Sequence, residues 1–122
     1  MNFLAHLVLA GDDEALRLGA MLGDFVRGSA ALAAFAPEVR RGILLHRHID
    51  AHTDGLPEIA ALRGWFPTPF RRYAGIVIDL AIDHELARRW SDHHARPLAE
   101  FDADVRRMLA RHESVMPDGL RR

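Results

Sequence analysis

The stretch Leu45-His46-Arg47-His48-Ile49-Asp50 is followed later in the chain by Asp79-Leu80-Ala81-Ile82-Asp83-His84. On a helix, residues i and i+4 are neighbours on one face, so His46 lies beside Asp50 and Asp79 beside Asp83. The residues flanking both stretches are strongly apolar, which predicts that both segments are buried. A buried carboxylate needs a metal, an arginine or a hydrogen-bond network as its partner. The two stretches therefore predict helices that carry polar groups into the interior.

The rest of the chain is also predicted to be helical. No segment alternates apolar and polar residues over a useful length, so no sheet is expected. Aspartate and proline signals start the helices, with Asp12 or Asp13 as a cap and Pro37, Pro69 and Pro97 as openers. We predict an all-α, compact domain of about five helices with a metal site between them, over residues 3–9, 12–26, 37–55, 68–93 and 97 to about 116, with a short helical turn at 57–63.

The last predicted helix has an apolar stripe and is ended by Pro117-Asp118-Gly119. The stripe recurs at helical spacing and consists of Leu98, Phe101, Val105, Met108 and Leu109. The sequence leaves three packing partners open for this stripe: other helices of this chain, a second copy of the chain in a homo-oligomer, or sequence outside these 122 residues.

Composition limits the chemistry. The 122 residues, 49% apolar and 27% charged, suit a single domain over residues 1–122. Cysteine is absent, which excludes disulfides and thiolate metal sites, and all 16 basic residues are arginine, which excludes a Schiff-base or P-loop lysine. A net charge of −1 provides no basic field for nucleic acid. No apolar run approaches the roughly 18 residues that cross a bilayer, so we expect a cytoplasmic protein without a membrane partner.

Seven acidic and histidine side chains within the predicted helices are candidates for a common site. Imidazole and carboxylate ligands without thiolate suit manganese, iron, zinc or magnesium. Such metals activate water and bind phosphoryl groups, so the set indicates a metal-dependent hydrolase. Arg27, Arg47 and Arg72 lie near these residues in sequence and suit a phosphate-bearing substrate. The seven predicted metal-site residues are His6, Asp24, His46, Asp50, Asp79, Asp83 and His84.

Each of these residues also has a structural interpretation. His6 can be a hydrogen-bonded core residue. Asp50 can form an ordinary ion pair with Arg47, and Asp83 with Arg72 or Arg88. In that case the chain is a non-catalytic helical interaction module that binds no metal. Two helices that each carry an i,i+4 pair on an apolar face favour the metal site.

Several segments, taken in their order along the chain, resemble the acyl carrier protein phosphodiesterase family. The similarity runs from residue 1 to about residue 92 and involves five segments. They are Met1-Asn2-Phe3-Leu4-Ala5-His6-Leu7, Gly23-Asp24-Phe25-Val26-Arg27-Gly28, the run from Gly42-Ile43 through His46-Arg47-His48-Ile49-Asp50 to Thr53-Asp54, Arg71-Arg72-Tyr73-Ala74-Gly75-Ile76, and Asp79 with Asp83-His84.

The resemblance implies a helical fold distantly related to the histidine-aspartate phosphohydrolases, and a divalent metal with manganese favoured. It implies hydrolysis of the phosphodiester that joins 4′-phosphopantetheine to a serine of acyl carrier protein, a reaction of fatty acid and lipid metabolism that returns the apo carrier. Asp24, Asp50, Asp79 and His84 are then the catalytic residues, with His84 or a metal-bound water as the general acid, and Arg27, Arg47 and Arg72 bind the substrate. A second enzymatic interpretation keeps the metal but acts on a nucleotide or another small phosphoester.

Two features depart from the family pattern. Asp83-His84 reverses the order of the superfamily's namesake doublet, so ligand roles do not transfer automatically to these residues. Members of the family continue beyond the region of Met116-Pro117-Asp118, so the resemblance leaves two expectations: a C-terminally shortened member, or a chain whose further helices are replaced by those of a partner chain.

Overall fold

The structure is a computed structural model and describes residues 2–117. Every regular element in that range is helical, which confirms the all-α class. Met1 and the predicted helix stop at Asp118-Gly119 lie outside the described residues. Three 3-10 turns, Ala31–Ala34, Phe70–Tyr73 and Glu113–Val115, join or follow the α-helices. The α-helices are α1 (Phe3–Leu9), α2 (Glu14–Leu22), α3 (Pro37–Asp54), α4 (Pro57–Gly64), α5 (Ala74–Arg88), α6 (Trp90–His93) and α7 (Leu98–Arg111).

Local signals explain where the first three helices begin and end. Gly11 turns the chain after α1 with a φ of 74°, and the Asp13 carboxylate accepts a hydrogen bond from the Leu16 N–H at 2.9 Å to cap α2. Helix α2 ends at Leu22, earlier than the predicted Val26. Pro37 is the first residue of α3, as predicted.

The long helix predicted over residues 68–93 is wrong at both ends. Residues 70–73 form a 3-10 turn, and α5 begins only at Ala74. At the other end Arg89 separates α5 from α6, because the chain turns to bury Trp90. The Trp90 indole N–H donates to the Arg96 carbonyl at 2.7 Å, and its ring packs 4.9 Å from that of Phe101. This tertiary burial outweighs the helical propensity of the segment.

The core lies around α2. On one side α2 packs against α3, and the two backbones approach closely at Gly19 and Gly42, where a Cβ on Gly19 would lie 2.5 Å from the Gly42 Cα. The apolar stripe of α7 is buried through Phe101, Val105 and Met108, in the same core cluster as Leu18 and Leu22 of α2. The stripe therefore has its partner within this chain, although a homo-oligomer through α7 stays a prediction.

Helix α5 is less buried than its sequence predicts. Ile78 and Ala74 are buried, but Ile76, Val77 and Leu80 are exposed. The prediction that this apolar segment is interior is wrong for these three residues, because α5 packs against α1 and α4 along only part of its surface. Within residues 2–117, no helix has the length and apolar character to cross a membrane.

Candidate metal centre

His46 is the most firmly fixed side chain of the predicted site. Its buried ring projects from α3 towards α2, and its Nδ1 lies 2.9 Å from the Ala20 carbonyl oxygen. Since a carbonyl can only accept a hydrogen bond, Nδ1 carries the proton and donates it. A neutral His46 therefore presents a lone pair on Nε2. Gly23 makes room for the ring, because a Cβ there would lie 2.6 Å from Nδ1 of His46 and closer still to two ring carbons.

Two carboxylates face Nε2 of His46. Oδ1 of Asp24 lies 3.1 Å from it, and Oδ2 of Asp50 lies 3.3 Å from it. With neutral His46, three acceptors point at one another, which is unfavourable unless a proton or a metal cation lies among them. A histidine whose other ring nitrogen is held by a backbone carbonyl has the arrangement commonly seen in metal-ligating histidines.

His6 completes the group from α1. Its buried ring stacks on that of His46, with centroids 3.6 Å apart and planes 11° from parallel. Its Nε2 lies 2.9 Å from Oδ1 of Asp50, so one carboxylate spans both imidazoles. Its Nδ1 is buried and has no hydrogen-bond partner among residues 2–117. The potential ligand atoms of His6, His46 and Asp50 all lie within 4.8 Å of one another.

The charge states of the group suit a cation. Burial lowers the pKa of His6, and the cost of placing a second charge beside the ring of His46 lowers it further, against the opposing effect of Asp50. Burial acts to raise the pKa of Asp50, but hydrogen bonding and the electrostatic effect of nearby basic groups, the imidazoles of His6 and His46 among them, outweigh it and leave that pKa lowered. His6 therefore favours the neutral form and Asp50 the ionised form, which are the forms that bind metals.

The other three predicted ligands lie on α5. The Asp83 carboxylate accepts hydrogen bonds from the N–H groups of Leu4 and Ala5, at 3.0 and 3.1 Å, and so holds the first turn of α1 just before His6. Half-buried Asp79 lines a small crevice that also involves Asp54 of α3. His84 is exposed. The structure brings His6, His46 and Asp50 into one group of potential ligands, with Asp24 beside His46, but that group does not include Asp79, Asp83 or His84.

The predicted substrate-binding arginines have different surroundings. Arg47 donates to the carbonyls of Val26 and Gly28, at 2.9 and 3.2 Å, and so fastens the segment after Asp24 to α3. Arg27 is an exposed residue of that same segment. Arg72 is exposed in the turn before α5, where its Nη2 donates to the Tyr73 hydroxyl at 2.6 Å.

Known proteins are similar to this chain over its whole length. The family model described as acyl carrier protein phosphodiesterase matches residues 1–122. The chain belongs to the acyl carrier protein phosphodiesterase family. It is 43% identical over 123 residues to a protein of that name from Escherichia coli O6:H1 (strain CFT073), and 44% identical over 119 residues to one from Escherichia coli O45:K1 (strain S88). These matches cover 100% and 97% of this chain but 62% and 60% of the relatives, so the chain spans about three fifths of their length. No solved structure matches it.

Sequence reasoning missed two contributors to the centre of this family member. The Ala20 carbonyl, which fixes the tautomer of His46, leaves no mark in a sequence because every residue has a carbonyl. Gly23 did leave a signal, since a glycine directly before Asp24 at the end of a helix indicates close approach by another group. That group is the imidazole of His46.

Proposed function

We propose that this chain carries the metal-dependent active site of a phosphodiester hydrolase that releases 4′-phosphopantetheine from holo acyl carrier protein. The observation that carries the proposal is the convergence of two carboxylates on Nε2 of His46, with His6 stacked beside it. Family membership supports the substrate, because the relatives are named for acyl carrier protein. A cytoplasmic location and the absence of nucleic-acid and membrane partners stay predictions.

The residues present fit a divalent metal. His6, His46 and Asp50 would hold it, with Asp24 as a further carboxylate beside His46. Two imidazoles with carboxylates suit manganese, iron or zinc better than calcium, and manganese remains our first choice. When bound, such an ion lowers the pKa of water and polarises a phosphoryl oxygen.

Asp24 and Asp50 differ in what they can do for the reaction. Asp50 is committed to both imidazoles, whereas the Asp24 side chain is 53% exposed and meets the solvent side of the group. We assign Asp24 to accept the proton of the attacking water and to orient that water towards phosphorus. Arg27, on the same exposed segment, would bind the phosphate or the acidic carrier.

The remaining predicted residues take proposed roles from their positions. Asp83 holds the turn that leads to His6, so we assign it to positioning of α1. Arg47 positions the segment that bears Asp24 and Arg27. Asp79 and His84 stay predicted catalytic residues, with His84 as the acid that protonates the leaving serine oxygen, and Arg72 stays a predicted substrate-binding residue.

The test is release of phosphopantetheine from holo acyl carrier protein, followed by the mass of the carrier. The purified chain is incubated with the carrier and Mn²⁺, in parallel with Asp24→Asn, Asp50→Asn and the surface control Asp102→Asn. We expect the wild type and Asp102→Asn to convert the carrier to its apo form and the two site variants to lose the activity at least about 100-fold. Equal activity in all four proteins would contradict the proposal. Hydrolysis of a nucleotide from a test panel, without hydrolysis of the carrier protein, would show that the site acts on another substrate.

A proton on Nε2 of His46 is the competing occupant of the site. The distances of 3.1 and 3.3 Å to Asp24 and Asp50 also suit a doubly hydrogen-bonded imidazolium, which would make the group a structural network. Elemental analysis of protein purified without chelator separates the two cases. We expect stoichiometric manganese, iron or zinc in the wild type and none in Asp50→Asn, whereas a metal-free wild type that still takes up none from added salts supports the imidazolium.

A further inference from the structure

An apolar cleft opens between α1, α4 and α5, on surfaces of these helices that the metal group does not use. Its volume is about 840 Å³. Apolar side chains form most of its wall, including Val8, Leu9, Leu62, Trp65, Val77 and Ile82. Glu85, Arg89 and His93 supply the polar groups of its lining. We call this surface the α1/α4/α5 cleft.

The cleft exposes side chains that proteins usually bury. Trp65 is 78% exposed, whereas Trp90 in the core is 6% exposed. Val77 is 46% exposed, and the neighbouring exposed residues Ile76 and Leu80 extend the apolar surface of α5 beyond the cleft. A helix with apolar residues on all sides is typical of one that other elements surround, and large exposed apolar patches mark interaction sites.

The shape of the cleft favours an inserted helix over a flat partner. Helices build its walls, and their backbone N–H and C=O groups are already hydrogen-bonded, so no strand edge is offered to an extended peptide. A second copy of this chain would place concave surface against concave surface and leave a void between the two. An amphipathic helix fills such a groove with its apolar face.

The relatives indicate where such a helix comes from. About two fifths of their length lies outside the match to this chain, while the matched part already contains all three walls of the cleft. Helices formed by polypeptide of that length must pack their apolar faces against another element. The α1/α4/α5 cleft is a large apolar surface in the matched part that is open to receive it.

We propose that the α1/α4/α5 cleft is the docking site for an amphipathic helical segment, the counterpart of the unmatched part of the Escherichia coli relatives. The segment places apolar side chains against Leu9, Trp65 and Val77 and meets the charged end of the cleft at Arg89. This docking is independent of the metal group and of the reaction proposed for it.

The experiment mixes the 122-residue chain with a recombinant polypeptide comprising the part of the strain CFT073 relative outside the 123 matched residues. A polypeptide of the same composition in scrambled order is the control. Binding is measured by titration calorimetry and by tryptophan fluorescence. We expect saturable one-to-one binding and a blue shift in the emission of Trp65, since Trp90 is already buried. The shift should vanish in Trp65→Phe while the binding heat remains.

Two matched variants locate the docking site. Val77→Glu places a charge in the cleft, and Leu44→Glu places the same charge on α3 at a residue of similar exposure, 48% against 46%. We expect Val77→Glu to weaken binding at least about tenfold, because a charge is costly to bury, and Leu44→Glu to change it less than about twofold. Circular dichroism confirms that both variants are folded.

Several results would overturn the proposal. One is that the polypeptide does not bind at about 100 μM, roughly the weakest affinity worth assigning. The others are that Val77→Glu and Leu44→Glu bind the polypeptide equally well, or that the scrambled polypeptide binds as well as the natural one. A dimer of the chain alone that Val77→Glu dissociates would make the cleft a self-interface. A blue shift of Trp65 with a sixteen-carbon fatty acid (a length typical of a lipid probe), but not with the polypeptide, would make it a lipid site.

Discussion

His46 shows how much of the candidate site depends on a single ring. Its Nδ1 donates to a carbonyl of α2, the ring of His6 stacks on its face, and two carboxylates lie close to its Nε2. None of these contacts tolerates a large rotation of the imidazole. Gly23, which has no side chain, therefore contributes to the site by leaving room for this ring.

Replacing Gly23 by alanine should disable the centre. The new Cβ would lie 2.6 Å from Nδ1 of His46, so the ring must rotate or α2 must withdraw. We expect Gly23→Ala to lower Mn²⁺ affinity by at least about tenfold, as displaced ligands and their supports typically do. Titration calorimetry with Mn²⁺ measures the effect. Gly64→Ala is the control, because nothing lies within 4 Å of a Cβ at that position, and unchanged affinity in Gly23→Ala would show that the ring has room to spare.

The sequence predicted the side chains of the site better than the groups that hold those side chains in position. Spacing on α3 paired His46 with Asp50, and the structure brings both within 4.8 Å of His6. Asp83 was selected by the same spacing rule, yet its carboxylate holds backbone N–H groups of α1. Spacing predicts which residues share a face of one helix, but it does not say which other element that face meets.

Helix α1 is an element that cannot stand on its own. It has seven residues, fewer than an isolated helix needs for stability. Its first turn is held by Asn2, whose side chain accepts from the Phe3 N–H at 3.0 Å, and by the Asp83 carboxylate from α5. The position of His6 therefore depends on a residue 77 places away in the chain.

Loss of the Asp83 carboxylate should destabilise the fold through α1. Asp83→Ala removes two hydrogen bonds from the first turn, and we expect about 1–2 kcal/mol lower free energy of unfolding, as for the loss of a helix cap. Urea unfolding followed by circular dichroism measures it. Asp102→Ala, which removes only an exposed pair with Arg106, should leave the midpoint unchanged. Stability equal to wild type in Asp83→Ala would mean that α1 is held by packing alone.

The contact between α2 and α3 depends on the absence of side chains. Gly19→Ala would place a Cβ 2.5 Å from the Gly42 Cα and must separate the two helices. We expect a loss of about 1–3 kcal/mol in the free energy of unfolding, the usual cost of overpacking a tight core. Gly75→Ala in α5 is the matched control, since its Cβ meets only the end of the Arg63 side chain at 3.4 Å, and we expect it to be neutral or slightly stabilising. Equal unfolding midpoints for the two variants would contradict close packing at Gly19.

Helix boundaries were predictable where local chemistry sets them and not where packing does. Helix α1 begins and ends at the predicted residues, and α3 begins at its proline as predicted. No glycine or proline marks the break at Arg89. The break accompanies the burial of Trp90 against Phe101, a tertiary contact that the local sequence does not indicate. The exposure of α5 could not be predicted either. An apolar sequence indicates that burial of the helix is favourable, but it does not indicate which elements pack against that helix.

For the whole molecule, a metal would join parts that the chain keeps far apart. His6 lies on α1, and His46 and Asp50 lie on α3, with all of α2 between them. A cation held by both helices binds only the folded chain. Its affinity would therefore add directly to the free energy of folding.

Metal should consequently raise the thermal stability of the intact protein. At 100 times its dissociation constant, Mn²⁺ adds about 2.7 kcal/mol, which raises the melting temperature by several degrees in a domain of this size. Calorimetric melting of chelator-treated protein with and without Mn²⁺ measures the shift. We expect no shift in Asp50→Asn and a wild-type shift in Asp102→Asn. An unchanged melting temperature in the wild type would indicate that a proton, and not a metal, lies between His46 and its carboxylates.

The anchoring of α1 by Asn2 and Asp83 also has a practical consequence for producing the protein. Asn2 caps the helix that carries His6 and lies about one helical turn before that residue. A polyhistidine affinity tag fused at the N-terminus would bring about six imidazoles, the same donor groups as those of His6 and His46, close to the candidate centre, where they would compete for the metal proposed to bind there. Recombinant protein intended for metal analysis should carry its tag at the other end, or have it cleaved first.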